Sequence, residues 1–367
     1  MCIRDRSSSS YDYIKVSANQ RPSSSNAVRL KVSVVNNTVD YGYIDVDADS
    51  EVSSSNAQNA AIINVSGNTI ARNGNAYVSV DYRNYGLPMD STTLTVSNNN
   101  VQGRNSNGQG IVVTSNGNVG SNWIINNNTV RSTNNGIYLT SERNSKFHIE
   151  NNTIDSTYNR GIYKQQGSAN IIGNTIEYCG KYYWNSNYNG VYLNSSSNYP
   201  ATDTLKNNTI RYNGSWEYPN QSNSSITLGV GGVTIDGNTV AVLNANNIYE
   251  NKGHDVTNLV SKSIASIQDA RYNYWGDSTT LEMNTGANPK NIISIHDEYD
   301  DALKGFVNYA GYVDTLDGTP SALNVLGDLK LLSASGGQAF NYPQGDTLRV
   351  RVSDADRNVS TLSLIHI

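Results

Sequence analysis

Asn127-Asn128-Thr129-Val130, Asn151-Asn152-Thr153-Ile154 and Gly173-Asn174-Thr175-Ile176 are three successive copies of one phrase. Earlier copies read Asn36-Asn37-Thr38-Val39, Gly67-Asn68-Thr69-Ile70 and Asn98-Asn99-Asn100-Val101. Later ones read Asn207-Asn208-Thr209-Ile210 and Gly237-Asn238-Thr239-Val240, with a looser copy at Asn246-Asn247-Ile248. The second Asn recurs at steps of 22 to 34 residues. Self-similarity at such a period marks a stacked repeat architecture.

The residues around each copy supply the strands. In Phe147-His148-Ile149-Glu150, apolar and polar residues alternate with the period of a half-buried strand. Asn tolerates the left-handed backbone region that a sharp bend requires. Three residues before the second Asn stand Val34, Val65, Val96, Ile125, Ile149, Ile171, Leu205 and Ile235. Two residues after it stand Val39, Ile70, Val101, Val130, Ile154, Ile176, Ile210 and Val240. Two inward positions flanking one corner describe two short strands. A third strand follows a loop of variable length, at Gly110-Ile111-Val112-Val113, Gly136-Ile137-Tyr138-Leu139, Gly161-Ile162-Tyr163 and Gly190-Val191-Tyr192-Leu193.

Three strands per turn with an Asn corner predict an all-β, right-handed parallel β-helix of about eight or nine coils, right-handed because parallel crossovers are. Stacked corner amides are expected to hydrogen-bond as a ladder. The pattern resembles the β-helix repeats of the pectin-lyase-like superfamily over roughly residues 28 to 276. That superfamily hosts lyases, hydrolases, adhesins and non-catalytic surface proteins, so the resemblance implies a fold and leaves the activity open.

The chain's ends need separate treatment. Met1-Cys2-Ile3-Arg4-Asp5-Arg6 and Leu362-Ser363-Leu364-Ile365-His366-Ile367 resemble the two translated strands of one sequencing-library adapter. Residues 1–6 and 362–367 are therefore expected to be artefact, and neither natural terminus is expected to be present. The β-helix with its cap is placed at 7–312, a linker at 313–327, and a truncated immunoglobulin-like β-sandwich at 328–361. Asp269-Ala270-Arg271-Tyr272-Asn273-Tyr274-Trp275-Gly276 resembles the Ala-x-x-Asn-x-Trp-Trp-Gly phrase that closes many extracellular β-helix proteins. Its rings are expected to cover the open end of the stack.

Composition narrows the function. The 37% hydrophobic content suits a thin-cored solenoid, and 25 Tyr argue against disorder. A net charge of −5 with no basic patch gives no reason to expect nucleic acid. No apolar run approaches the length of a membrane span. With the ends removed, Cys179 is the only cysteine, which excludes a disulfide framework. It sits five after its corner Asn, where a small ladder residue is expected. Arg131, Asp155, Glu177 and Arg211 follow successive corners by three and read as surface pairs of opposite charge. The internal His148, His254 and His296 are scattered along the chain, so no nucleophilic triad is expected.

Two candidate sites remain. One is aromatic: Tyr182, Tyr183 and Trp184 lie in one long loop before the third strand, Trp216 and Tyr218 in the next, and Tyr138, Tyr163 and Tyr192 form an outward column on the third strand. Exposed rings beside Asn and Ser suit sugar faces and hydroxyls. The other is acidic: Asp45 and Asp47 share an outer face with Asp81 of the next coil, and could ligate Ca²⁺. By analogy with lyases on this fold, Arg83 would supply the base there, a role that guanidinium chemistry disfavours. No cofactor is expected apart from that Ca²⁺. The expected partners are an extracellular polysaccharide or glycoconjugate and further domains of one large extracellular or cell-surface chain. The leading expectation is a non-catalytic, adhesin-like scaffold. The alternatives are a polysaccharide lyase or glycoside hydrolase working on the third-strand face, and a purely mechanical spacer.

Overall fold

The computed structural model describes residues 3–6, 12–20, 28–50, 58–320, 328–332 and 349–353, apart from breaks at 74, 85–86, 89–91, 105, 118–119, 143–144, 182–187, 215–227 and 287. The chain winds as a right-handed parallel β-helix with three sheets. The third-strand sheet holds eleven strands, the first of which, Ile3–Arg6, pairs antiparallel with Asp12–Gln20. Among the described residues, the pre-corner sheet also holds eleven, and the post-corner sheet eight. Each coil passes from the third-strand sheet to the pre-corner sheet, then around the Asn corner to the post-corner sheet. Coils extend further at both ends than the repeated phrase indicates, from Asp12–Gln20 to Phe306–Asn308.

The corner explains why Asn is required. Asn36, Asn98, Asn127, Asn151 and Asn207, the first residues of their copies, all have φ between 54° and 56°, and Gly67 and Gly173 take the same place at 67°. The second Asn points inward. At Asn152 the amide oxygen accepts from both the backbone N–H and the side-chain Nδ2 of Asn128, each at 2.9 Å. Its own Nδ2 donates to Ile125 O at 2.9 Å and to Asn174 Oδ1 at 2.9 Å. Two donors and two acceptor positions are all engaged, the full capacity of an amide. The column runs without a gap through Asn37, Asn68, Asn99, Asn128, Asn152, Asn174, Asn208, Asn246 and Asn273.

One expected corner is displaced. Asn238 is not in the column, because Gly237 (φ 63°) turns the chain from the third strand Gly231–Ile235 into the pre-corner strand Thr239–Asn244. The real eighth corner is Asn246, the looser copy, flanked by buried Leu243 and Ile248. The ninth is Asn273, inside the closing phrase. Trp275 then fills the inward position two residues on, 1% exposed; it is a core residue and not the expected cover of an open end, because Ile295–His296 and Phe306–Asn308 add one more strand each to their sheets beyond it. The helix Gly276–Asn284 follows it. Val313, at the head of the expected linker, packs with Tyr249 and Tyr274. Asp328–Leu332 and Arg349–Ser353 pair antiparallel in a separate two-stranded ladder. No helix among the described residues is long and apolar enough to cross a membrane.

A second interior column lies five residues past each corner, through Thr133, Thr157, Cys179, Asn213 and Asn251. Cys179 N–H donates to Asn213 Oδ1 at 3.0 Å, and Asn213 Nδ2 to Asn251 Oδ1 at 2.9 Å. Asn251 Nδ2 donates to Asp255 Oδ1 at 2.8 Å, where the column ends. Burial pushes the Cys179 thiol up to about 12 and the Asp255 carboxyl up to about 7. Cys179 is therefore a packing residue, as its place in the repeat suggested.

Two predictions follow from these columns. Asn152→Ala removes the acceptor of the Asn128 N–H and Nδ2 and one donor to the Ile125 carbonyl, and should lower the unfolding free energy by roughly 2–5 kcal/mol. Asn151→Gly, which reproduces what Gly67 and Gly173 already do, should be close to neutral; urea unfolding of the two variants compares them. For Asp255, the folded state holds a proton that an ordinary carboxyl of pKa 3.8 releases. Its contribution to stability therefore falls as pH rises from about 4 to about 7. Asp255→Asn should remove that slope, gaining on the wild type at pH 8 but not at pH 4, as urea midpoints across the range would read.

Candidate functional site

Register places the two sites expected from the sequence on one face. A single outward column of the third-strand sheet runs Lys15, Asp45, Ser79, Val112, Tyr138, Tyr163 and Tyr192, coil by coil. It continues through Thr234 and Thr257 to His296. The next column toward the strand ends reads Ser17, Asp47, Asp81, Thr114 and Thr140. The acidic residues and the tyrosines thus occupy successive segments of the same sheet.

Tyr138 and Tyr163 are half-buried and stack with ring centres 5.0 Å apart. Tyr138 Oη donates to Gln165 Oε1 at 2.6 Å. Tyr192 belongs to the column but is not an open platform. It is 8% exposed, and its hydroxyl donates to Asp236. The Arg160 guanidinium lies 4.2 Å from the Tyr163 ring centre and 4.7 Å from that of Tyr192. A buried arginine held between two rings by cation–π attraction covers part of each, so Tyr163 offers a sugar less than a full face and Tyr192 offers none. Beside Tyr138, a groove of about 370 Å³ is lined by Thr140, Glu142, Gln165, Asn194 and Tyr199. Tyr182, Tyr183, Trp184, Trp216 and Tyr218 lie outside the described residues. At the base of their two loops, Tyr178 and Tyr212 stack at 5.1 Å with an interplanar angle of 14°.

A further aromatic row was not anticipated. Tyr13, Tyr43 and Tyr77 are register partners on the first coils, with ring centres 5.6 and 4.5 Å apart. The alternation that placed Asp45 and Asp47 outward places Tyr43 outward too, so the signal was available in the sequence.

The carboxylates are partly committed. Asp45 pairs with Lys15 at 3.5 Å, and Asp81 with Arg83 at 2.9 Å. Arg83, engaged with Asp81, is not placed as a free base. Asp47 and Asp81 are direct register partners, and each has one buried carboxylate oxygen without a hydrogen-bond partner. Burial raises the Asp81 carboxyl above its ordinary value against the pull of Arg83, and Asp47 and Asp45 add to the rise. Among the described residues, no three His, Cys, Asp or Glu side chains converge as a metal-binding group.

Other charged residues are structural. Arg131 meets Asp155 at 3.6 Å and Arg211 meets Glu177 at 2.7 Å, as the spacing predicts. The exposed Arg131 pair contributes little. Lys164 and Asp203 were not singled out. Lys164 replaces a leucine at the inward position between Leu139 and Leu193. Both side chains are fully buried, with Nζ 2.7 Å from Oδ2. Lys164 Nζ also donates to Gly167 O, and Asp203 Oδ1 accepts from Ala169 N–H. Burial pushes the lysine down and the aspartate up, toward neutrality. The histidines are scattered in the chain, but His254 and His296, 42 positions apart, bring their ring centres to 5.5 Å.

Lys164→Met strands the Asp203 carboxylate in the core and should cost roughly 3–5 kcal/mol. Adding Asp203→Asn, which keeps the acceptor for Ala169, should recover most of the loss. Chemical denaturation of the single and double variants tests both statements. Comparison with known proteins finds no matching family model, no matching curated protein and no matching solved structure.

Proposed function

We propose that this chain is a non-catalytic, glycan-contacting segment of an extracellular or cell-surface protein, an adhesin-like scaffold. The observation that carries the reading is the outer face of the third-strand sheet. Stacked tyrosines recur along it, at Tyr13–Tyr43–Tyr77 and again at Tyr138–Tyr163. Hydroxyl, amide and carboxylate groups stand beside them, among them Gln165, Asn194 and Asp47. Flat apolar rings next to hydrogen-bonding groups match the alternating apolar faces and hydroxyl rims of a sugar chain. A solenoid sheet is long and stiff, which suits a polymeric ligand. The resemblance of the repeat to the pectin-lyase-like superfamily is consistent with carbohydrate as the ligand class.

A second reading rests on Asp47 and Asp81. Neighbouring carboxylates with one of them raised in pKa are the equipment of glycoside hydrolysis, which needs an acid and a base or nucleophile about 5–9.5 Å apart. Under this reading, Asp47→Asn or Asp81→Asn abolishes release of reducing ends from a polysaccharide, whereas binding in affinity gels persists.

Affinity electrophoresis through gels cast with neutral and acidic polysaccharides tests the main reading. The wild type should be retarded by at least one of them. Tyr138→Ala combined with Tyr163→Ala should reduce that retardation at least several-fold, and Trp184→Ala with Trp216→Ala should do the same if the loops contribute. Mobility that no polysaccharide changes would favour a mechanical spacer and sink the proposal.

A further inference from the structure

Two histidines close the far end of the sheet that carries the tyrosines. His254 opens the third strand His254–Asn258, and His296 ends the two-residue strand Ile295–His296 that the cap adds to the same sheet. His254 is 9% exposed and the His296 side chain 13%. Nδ1 of His254 and Nε2 of His296 are both buried, and neither has a hydrogen-bond partner. Buried polar groups nearly always find partners, so two orphaned imidazole nitrogens in one place call for an explanation. On the other side of His296, Asp300 Oδ2 lies 3.7 Å from Nδ1. A carboxylate there favours the tautomer with the proton on Nδ1, which leaves the Nε2 lone pair available.

We propose that His254 and His296 are the protein ligands of a transition-metal site, for Zn²⁺ or a similar ion, that ties the C-terminal cap to the coil beneath it. With metal–nitrogen bonds of ~2.0–2.1 Å, two imidazoles on one tetrahedral ion hold their ring centres roughly 5–5.5 Å apart. The observed separation of 5.5 Å fits. Imidazole donors suit Zn²⁺, Ni²⁺ and Cu²⁺ rather than Ca²⁺ or Mg²⁺. The surrounding acids have other tasks. Asp297 accepts from the Tyr299 and Val307 N–H groups, Glu298 pairs with Lys262, and Asp255 ends the second interior column. No third His, Cys, Asp or Glu completes the group among the described residues, so water fills the remaining positions. Such a site gains its value from location. It joins the last coils, built from local repeats, to a cap strand brought back from further along the chain.

Calorimetric titration of EDTA-treated protein with Zn²⁺ tests the site, with thermal unfolding followed in parallel. The wild type should take up one equivalent and show a melting temperature that rises with Zn²⁺ concentration, as binding to the folded state requires. His254→Asn and His296→Gln should each weaken binding at least tenfold, and His148→Gln should not change it. Asp300→Asn keeps an acceptor for the Asp297 N–H and should weaken binding several-fold by removing the negative charge beside Nδ1. Should the histidine variants fail to fold, X-ray absorption of the Zn²⁺-loaded wild type still decides, since two imidazole nitrogens are expected in the shell. A wild type that binds no Zn²⁺, binding that survives both histidine substitutions, or a shell with one imidazole or none would overturn the proposal.

Discussion

Everything in the solenoid depends on the buried carboxamide at the corner. A turn between two strands leaves backbone N–H and C=O groups facing inward, where water cannot reach them. An amide of the right length answers both needs at once: it donates to a carbonyl of the coil before, accepts from that coil's corner residue, and donates to the corner amide of the next coil. Aspartate lacks the donors, and serine lacks the reach and the second acceptor–donor pair. Because each rung is satisfied only by its neighbours, the corner sets the vertical register of all three sheets. The apolar columns on either side then fall into line without further instruction, from Val34 to Leu243 on one side and from Val39 to Ile248 on the other.

That dependence explains what was legible in the sequence. The Asn corner, the two apolar columns and the tyrosine column follow from local periodicity, and the structure has them in place. Asn238 misled because a left-handed Gly-Asn bend reads the same wherever in the coil it stands; only the eight positions that separate it from Asn246 distinguish the two. The second interior column showed in the sequence only as a spacing, five residues past each corner, and not as a motif. Its bends are made by Ser132, Ser156, Tyr178, Tyr212 and Glu250, all at positive φ, and none of these is a residue that announces a left-handed turn. Lys164 and Asp203 each break an apolar column, a visible anomaly, but only the fold shows that the two breaks face each other.

The candidate site was legible residue by residue and not as a whole. Alternation puts Asp45 and Tyr138 outward, yet nothing local says that they share one column three coils apart. Accessibility was also beyond reach from sequence, since Tyr192 is covered by an arginine and an aspartate that lie 32 positions before it and 44 after. The His254–His296 pair required knowing where the cap strand returns. In each case the missing information is the variable length of the loops, which sets how far apart in the chain stacked residues stand while leaving their stacking unchanged.

Asn273 gives the stack a terminus in a chemical sense. Its Nδ2 donates to Leu243 O at 2.6 Å and to Ala270 O at 2.7 Å, so neither amide hydrogen points onward. Every earlier rung offers a hydrogen to the layer above, as the growing face of a crystal does. Here the amide column stops, although the Asn273 carbonyl still accepts from the Val313 N–H of the layer beyond and Trp275 lies in the core between the two layers. The column that sets the register is thus closed by one amide turned back into its own coil, and the layer beyond it is held by backbone pairing alone at this corner.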